Sequence, residues 1–257
     1  MWAFWYRRNR ADRAVLKAIL FDLDGTLLKN SMEIFGPALL QSLARHMAQL
    51  IPPEHTTSAL ESVIAAMDAN EGTGLTNEEV FAAAFYPAVG YEREDLAGLI
   101  ERFWSEEFPK LRELTRSLPE ARLIIEWAFQ HGLQVAIATG FLFPRTVAEQ
   151  RLEWAGVPVT EFDYTLLTTW SNMHASKPHP AYYREVLAHL GRQPDECLMV
   201  GDDWEHDIIP ATSIGIPSYW IAEPDDQPPE QRILHVGQGT LSDLLAWLRN
   251  ADSQRSL

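Results

Sequence analysis

The stretch AILFDLDGTLL at residues 18–28 decides the fold. Its first four residues form a short apolar run, which is typical of a buried strand in a parallel sheet. Asp22 and Asp24 follow two positions apart, so that both carboxylates leave the end of the strand on the same side. Gly25 then allows the chain to turn sharply. Ligands of open parallel sheets bind beyond the carboxyl ends of the strands, which is where we expect these two acids.

Two carboxylates in this arrangement repel each other unless a cation lies between them or one of them is protonated. A hard divalent ion with oxygen ligands satisfies both groups, and magnesium is the commonest such ion. An Asp-Gly pair on its own is more often a simple turn, so the interpretation depends on the other strands of the sheet.

The rest of the chain predicts an α/β fold with a Rossmann-like, doubly wound parallel sheet. Further apolar runs predict strands at 134–138, 164–167, 197–200 and 218–221. Helical patterns that follow a proline and stop at a glycine lie between them, at 120–130, 146–154 and 181–190.

An insertion interrupts this alternation between residues 28 and 119, where no run is typical of a strand. The sequence TNEE at 76–79 predicts a capping box at the start of one helix. Helical spacing covers 33–50, 57–69, 77–84 and 95–110. We therefore expect a core domain made of residues 1–30 and 118–257, and an inserted all-helical cap domain at 31–117.

Polar groups follow two more of the predicted strands. VAIATG at 135–140 ends in the hydroxyl of Thr139 and the backbone N–H of Gly140, which suit a phosphoryl oxygen. CLMVGDD at 197–203 ends in two acids. Taken singly, Thr139 and Asp202 could each cap a helix. Because three strands deliver polar groups to one edge of the sheet, a common site is the better interpretation.

A positive group is expected to complete such a site, and Lys177 lies in the segment SKPHP at 176–180. The two prolines stiffen this loop and fix the direction of the lysine side chain. A lysine in a loop is more often a solvated surface residue, so this assignment also depends on the other motifs.

These four segments, in this order, resemble the motifs of the haloacid dehalogenase-like hydrolases, over 18–28 and 119–221. The insertion resembles the helical type-1 cap of the subgroup that contains phosphoglycolate phosphatase and β-phosphoglucomutase. One departure is Gly140, where many relatives carry asparagine, so the fit of the leaving group is expected to differ.

The resemblance implies a role for each matching residue. Asp22 would be the nucleophile and a Mg²⁺ ligand, and Asp24 the general acid/base that also binds the metal through its backbone carbonyl. Thr139 and Gly140 would hold the phosphoryl group, and Lys177 would neutralise it. The remaining acids would serve the metal, Asp202 as a ligand, with Asp203 and Asp207 in or next to the outer coordination shell.

We therefore expect Mg²⁺-dependent hydrolysis of a small phosphate monoester through an aspartyl-phosphate. A phosphomutase uses the same core residues and stays open. Asp24 argues against a dehalogenase, and the predicted cap helices offer only Lys110 for the Schiff base of a phosphonate hydrolase. A phosphate-responsive regulatory module without turnover is the alternative from another class.

Composition limits the partners and the compartment. The net charge of −15 disfavours nucleic acid as a partner, and a small phosphorylated metabolite is expected instead. No stretch supplies the apolar length of a membrane span, so stable membrane insertion is not expected. The single Cys197 fits a reducing cytoplasm. The aromatic and basic segment 2–13 is expected to pack on its own domain or on a partner subunit, with a membrane interface as the alternative.

Overall fold

A computed structural model describes residues 15–72, 74–140, 143–229 and 235–253 of the chain. The aromatic N-terminal segment lies outside these residues. In chain order the strands are β1 Ala18–Phe21, β2 Leu28–Lys29, β3 Arg116–Ser117, β4 Gln134–Ile137, β5 Leu166–Leu167, β6 Cys197–Gly201, β7 Ser218–Ile221 and β8 Gly237–Gly239. Six of them form one sheet of order β5-β4-β1-β6-β7-β8, and every neighbouring pair in it is parallel. The predicted α/β fold is confirmed.

The register of the three central strands places the site. Phe21 at the end of β1 pairs with Ile137 of β4 on one side and with Val200 of β6 on the other. The backbone N–H of Asp22 continues this pattern by donating to the carbonyl of Val200. Because the three strands end at the same level, the residues that follow them meet at one edge of the sheet.

In chain order the helices are α1 Met32–Met47, α2 Pro53–Asp68, α3 Asn77–Val89, α4 Arg93–Arg102, α5 Pro119–Gln130, α6 Arg145–Trp154, α7 Pro180–Leu190, α8 Ile209–Ser213 and α9 Leu241–Ser253. Of these, α5 to α9 cover the two faces of the six-stranded sheet. Alternate residues of β1 serve the two faces: Ile19 and Phe21 pack in the cluster with α5, α6 and α9, whereas Ala18 and Leu20 pack with α7 and α8. In the described ranges, no helix has the length and apolar character that crossing a bilayer requires.

The inserted segment contains the helices α1 to α4, but it is not all-helical as predicted, because β3 lies within residues 31–117. The capping box at Thr76 is present, with Glu79 as its reciprocal partner. The helix expected at 95–110 is divided: α4 ends at Arg102 and is followed by a π-helical turn, Phe103–Glu107, and a 3₁₀ stretch, Phe108–Leu114. Pro109 lacks an N–H and cannot continue an α-helix, so the α-helix does not resume after the π-helical turn.

Two attachments join the insertion to the sheet domain at its chain ends. β2 and β3 pair antiparallel, Leu28 with Ser117 and Lys29 with Arg116, so the segments that enter and leave the insertion form one ribbon. Next to it, the ring of Phe108 stacks on that of Trp154 in α6, with centroids 5.1 Å apart. The sequence patterns did not predict β2 or β3, nor β8, whose sequence GQG has no apolar residue.

Candidate active site

A buried lysine lies between two buried aspartates at the carboxyl edge of the sheet. Lys177 Nζ donates to Asp22 Oδ1 at 2.8 Å and to Asp207 Oδ1 at 2.5 Å. Only 3% of Lys177 is exposed, so it is not the solvated surface residue of the alternative interpretation. Burial by itself lowers the pKa of Lys177, but the Asp207 and Asp22 carboxylates raise it well above its ordinary value. The side chain is therefore a fixed ammonium ion.

The loop after β1 is shaped to receive Asp202, which follows β6. The Thr26 hydroxyl donates a hydrogen bond to Asp202 Oδ1, with the two oxygens 3.0 Å apart. Gly25 has a φ of +89°, and a Cβ atom at this position would lie 2.2 Å from Asp202 Oδ2. Glycine is therefore required here both for the turn and for the close approach of the carboxylate.

Three carboxylates converge at this edge. Asp22, Asp202 and Asp207 each present an oxygen, and these atoms all lie within 4.8 Å of one another. Burial raises the pKa of Asp22 well above its ordinary value, and it also raises the pKa of Asp207. Burial and the Asp207 charge raise the pKa of Asp202 to about 7.

One ammonium cannot balance three ionised carboxylates, so ionising all three would leave surplus negative charge that burial makes costly, which is why their pKa values are raised. Hard oxygen ligands with unbalanced charge are the donor set that a small divalent cation prefers, so the residues fit such an ion. Asp207, which we expected in or next to the outer coordination shell, contributes a carboxylate oxygen to the cluster. The Asp24 side chain does not join it, and its expected contact through the backbone carbonyl stays a prediction.

The Asp24 carboxylate is held instead by two neighbours. Its Oδ2 pairs with the Arg151 guanidinium, and its Oδ1 accepts from Asn30 Nδ2 at 2.9 Å. Arg151 has no exposed surface, and its guanidinium also lies over the ring of Phe143, 5.0 Å from the centroid. Sequence reasoning missed Arg151. The available signal was its position in α6, on the same helical face as the apolar Val147 and Ala148.

Thr139 presents a hydroxyl for which the described residues provide no hydrogen-bonding partner. Its backbone N–H donates to Thr168 Oγ1 at 3.0 Å, and its carbonyl accepts from the Tyr182 hydroxyl at 3.1 Å, whereas Oγ1 is buried and unpaired. The capping interpretation of Thr139 is excluded, because α6 begins only at Arg145. A buried hydroxyl without a partner is costly and fits a bound oxygen atom. Beside it, a Cβ on Gly140 would lie 3.3 Å from Lys177 Cδ, so the two residues adjoin.

Asp203, not Asp202, caps the helical segment after β6. Its Oδ1 accepts from the backbone N–H groups of Glu205 and His206, both at 2.9 Å. Although burial opposes it, the hydrogen bonds and charge of His206 lower the pKa of Asp203 to about 2. Asp203 thereby stabilises the loop that carries Asp202 and Asp207, and Asp202 is left available to the cluster.

Comparison with known proteins places the chain in a family. Residues 16–215 match the family described as haloacid dehalogenase-like hydrolase. Because this match covers most of the chain, the protein belongs to the haloacid dehalogenase-like hydrolases, as the resemblance of its motifs predicts.

Individual relatives are consistent with this assignment. The chain is 28% identical to a phosphoglycolate phosphatase of Rhodospirillum rubrum, over 78% of this chain and 77% of that protein. It is 27% identical to a phosphoserine phosphatase of Thermus thermophilus, over 80% and 88%. A solved structure of 2-haloacid dehalogenase from Pseudomonas syringae shares the fold, with a TM-score of 0.61 at 20% identity, over 92% of this chain and 99% of that one.

Proposed function

We propose that the protein is a phosphatase that hydrolyses a small phosphate monoester through an aspartyl-phosphate on Asp22. The observation that carries the proposal is the arrangement around Asp22: a buried ammonium lies 2.8 Å from its carboxylate, and the unpaired Thr139 hydroxyl belongs to the residue before Gly140, which adjoins Lys177. A transferring phosphoryl group needs positive charge and hydrogen-bond donors around its oxygens, and these groups supply both. Relatives named as phosphatases support the same activity.

We propose Mg²⁺ as the cofactor, held by Asp22, Asp202 and the backbone carbonyl of Asp24, with Asp207 beside them. The surplus negative charge of the carboxylate cluster supports this assignment. When bound, the ion would neutralise charge on the phosphoryl oxygens and keep Asp22 ionised.

The chain's own groups then supply the steps of the reaction. The Asp22 carboxylate attacks phosphorus while the bond to the leaving oxygen breaks. Asp24 donates a proton to the leaving oxygen, and in the second step it accepts a proton from the water that attacks the aspartyl-phosphate. Thr139, the Gly140 N–H and Lys177 hold the phosphoryl oxygens in both steps. To act in this way, the Asp24 carboxylate has to break its ion pair with Arg151 and its hydrogen bond with Asn30.

We further propose that residues 31–117 form a cap domain on the core made of 1–30 and 118–257, and that the cap opens to admit substrate. The substrate is expected to be a small phosphorylated metabolite. The cytoplasmic location expected from the single cysteine stays a prediction.

A panel of phosphorylated metabolites tests the proposed function, with release of inorganic phosphate measured in Mg²⁺ and after chelation. We expect Mg²⁺-dependent release that is lost in the matched variant Asp22→Asn, whose amide has the same shape but is a poor nucleophile. Isomerised phosphate esters without phosphate release would indicate a mutase. Unchanged release after chelation would contradict the metal assignment.

A further inference from the structure

Asn77, in the first turn of α3, is a fully buried polar residue of the insertion. Most of its hydrogen-bonding partners lie about a hundred residues further along the chain. Its Nδ2 donates to the carbonyls of Met173, at 3.0 Å, and Ala175, at 3.2 Å. Its Oδ1 accepts from Ser176 Oγ at 2.9 Å and from Asn70 Nδ2 at 3.0 Å. These bonds use both donors and both acceptor positions of the amide, so the side chain is completely satisfied.

Backbone hydrogen bonds extend this contact. The N–H of Asn77 donates to the Met173 carbonyl at 2.9 Å, and that of Ser176 donates to the Asn70 carbonyl at 3.0 Å. The next residue of α3, Glu78, donates to the carbonyl of Trp170 at 2.9 Å. The α2–α3 connection and the segment 170–176 therefore form one hydrogen-bonded unit, although about a hundred residues separate them.

This segment leads directly into Lys177. The ammonium of Lys177 must reach both Asp22 and Asp207 from a fully buried backbone, and Ser176, the residue before it, is bonded to the insertion through its hydroxyl and its N–H. A catalytic group works only if its supporting residues fix it closely, because displacements near 1 Å cost large factors in rate.

We propose that Asn77 is a positioning residue that aligns Lys177 for phosphoryl transfer. In this arrangement the insertion completes the site by holding the segment that carries its cation. The proposal rests on the proposed function of Lys177 but adds a residue that none of the four family motifs contains.

A double-mutant cycle with Asn77→Ala and Lys177→Ala tests the proposal, using Mg²⁺-dependent hydrolysis of an aryl phosphate. We expect Asn77→Ala to lower kcat by about tenfold to a hundredfold. KM is expected to change by less than about threefold, because substrate binding is largely retained. With Lys177 already removed, Asn77→Ala is expected to change kcat by no more than about twofold. Equal losses in both backgrounds, or no loss in either, would overturn the proposal.

Thr76→Ala is the matched control. Thr76 adjoins Asn77 and caps the same helix, but among the residues that the structure describes its side chain bonds only to Glu79. This variant is expected to lower the melting temperature and leave kcat unchanged; if kcat fell as far as in Asn77→Ala, destabilised α3 would explain both. If Asn77→Ala does not fold, Ser176→Ala, which removes one hydrogen bond of the unit, takes its place in the cycle.

A crystal structure of Asn77→Ala provides a readout that does not depend on turnover. We expect Lys177 Nζ to lose its hydrogen bond to Asp22. An unchanged lysine would refute the positioning role. Absence of turnover in the wild-type protein would count against the proposed phosphatase only, since the position of Lys177 in the variant would still decide the inference.

Discussion

The Asp24 carboxylate is ion-paired with Arg151, and the two side chains are only 7% and 1% exposed. Removing one partner of a buried pair leaves the other charge uncompensated, which is strongly destabilising. We therefore predict that Arg151→Met lowers the free energy of unfolding by about 3–5 kcal/mol. In an Asp24→Asn background, Arg151→Met is expected to lower the free energy of unfolding by clearly less, because the partner charge is already absent. Urea unfolding of the four proteins measures the coupling, and additive losses would show that the two charges are independent.

Asp24→Ala separates the two proposed chemical steps. An aryl phosphate has a good leaving group, so the aspartyl-phosphate is expected to form without the acid and then accumulate, because water is no longer activated. An alkyl phosphate needs protonation to leave, so little intermediate is expected from it. Intact-mass spectrometry after rapid quench should show one added phosphoryl group on Asp22 for the aryl ester alone. Labelling of Asp202 or Asp203 would overturn the assignment of the nucleophile.

The buried carboxylates predict an unusual dependence of stability on pH. The pKa of Asp202 is about 7, above the ordinary value of 3.8, so between these two pH values the folded protein binds more protons than the unfolded chain. Without divalent ions, the free energy of unfolding should therefore fall as the pH rises from 5 to 7.5. Mg²⁺ is expected to remove this decrease, because the ion takes the place of the protons. Urea unfolding at both pH values, in EDTA and in Mg²⁺, measures the effect; a metal-free protein that gained stability over this range would contradict it.

Gly25→Ala is predicted to disrupt the proposed metal site. The new Cβ would lie 2.2 Å from Asp202 Oδ2, and the φ of +89° is unfavourable for alanine. We expect a loss of about 1–3 kcal/mol in stability from the backbone alone, together with loss of Mg²⁺-dependent turnover.

Gly132→Ala is the control, because Gly132 also has a positive φ, +68°, but within the described part of the chain no atom beyond its chain neighbours lies within 4 Å of its Cβ position. The Gly132→Ala variant should lose a comparable free energy of unfolding and keep its Mg²⁺-dependent activity. Retained Mg²⁺ binding in Gly25→Ala, measured by calorimetry, would show that Asp202 can move without loss of the site.

Much of the fold and the candidate site follows from local sequence patterns. The ends of β1, β4 and β6 could be predicted because apolar runs stop at polar residues, and the parallel arrangement then brings those residues together. Arg151 and Asn77 could not be found in this way. Each is a buried polar residue whose role depends on partners more than ninety residues away, and a helical pattern shows its position but not its partner.

The aspartates after β6 show the same limit of prediction from local sequence patterns. Asp202 and Asp203 are adjacent and chemically identical, so the local pattern alone does not distinguish them; in the structure Asp202 faces the cluster and Asp203 caps the next helix. Asp207 was predicted near the metal, but the tertiary contact with Lys177 decides which atoms it faces.

The hydrogen bonds of Asn77 would also affect the kinetics of the proposed cap opening. A cap joined to the core only through the β2–β3 ribbon could swing about that ribbon with little resistance. The contact of Asn77 with residues 173–176 adds a further attachment, beyond the ribbon and the Phe108–Trp154 contact, so the proposed opening would have to break several hydrogen bonds together. Opening would then be an activated event with a barrier of its own, and the rupture of these bonds would limit the rate at which substrate enters.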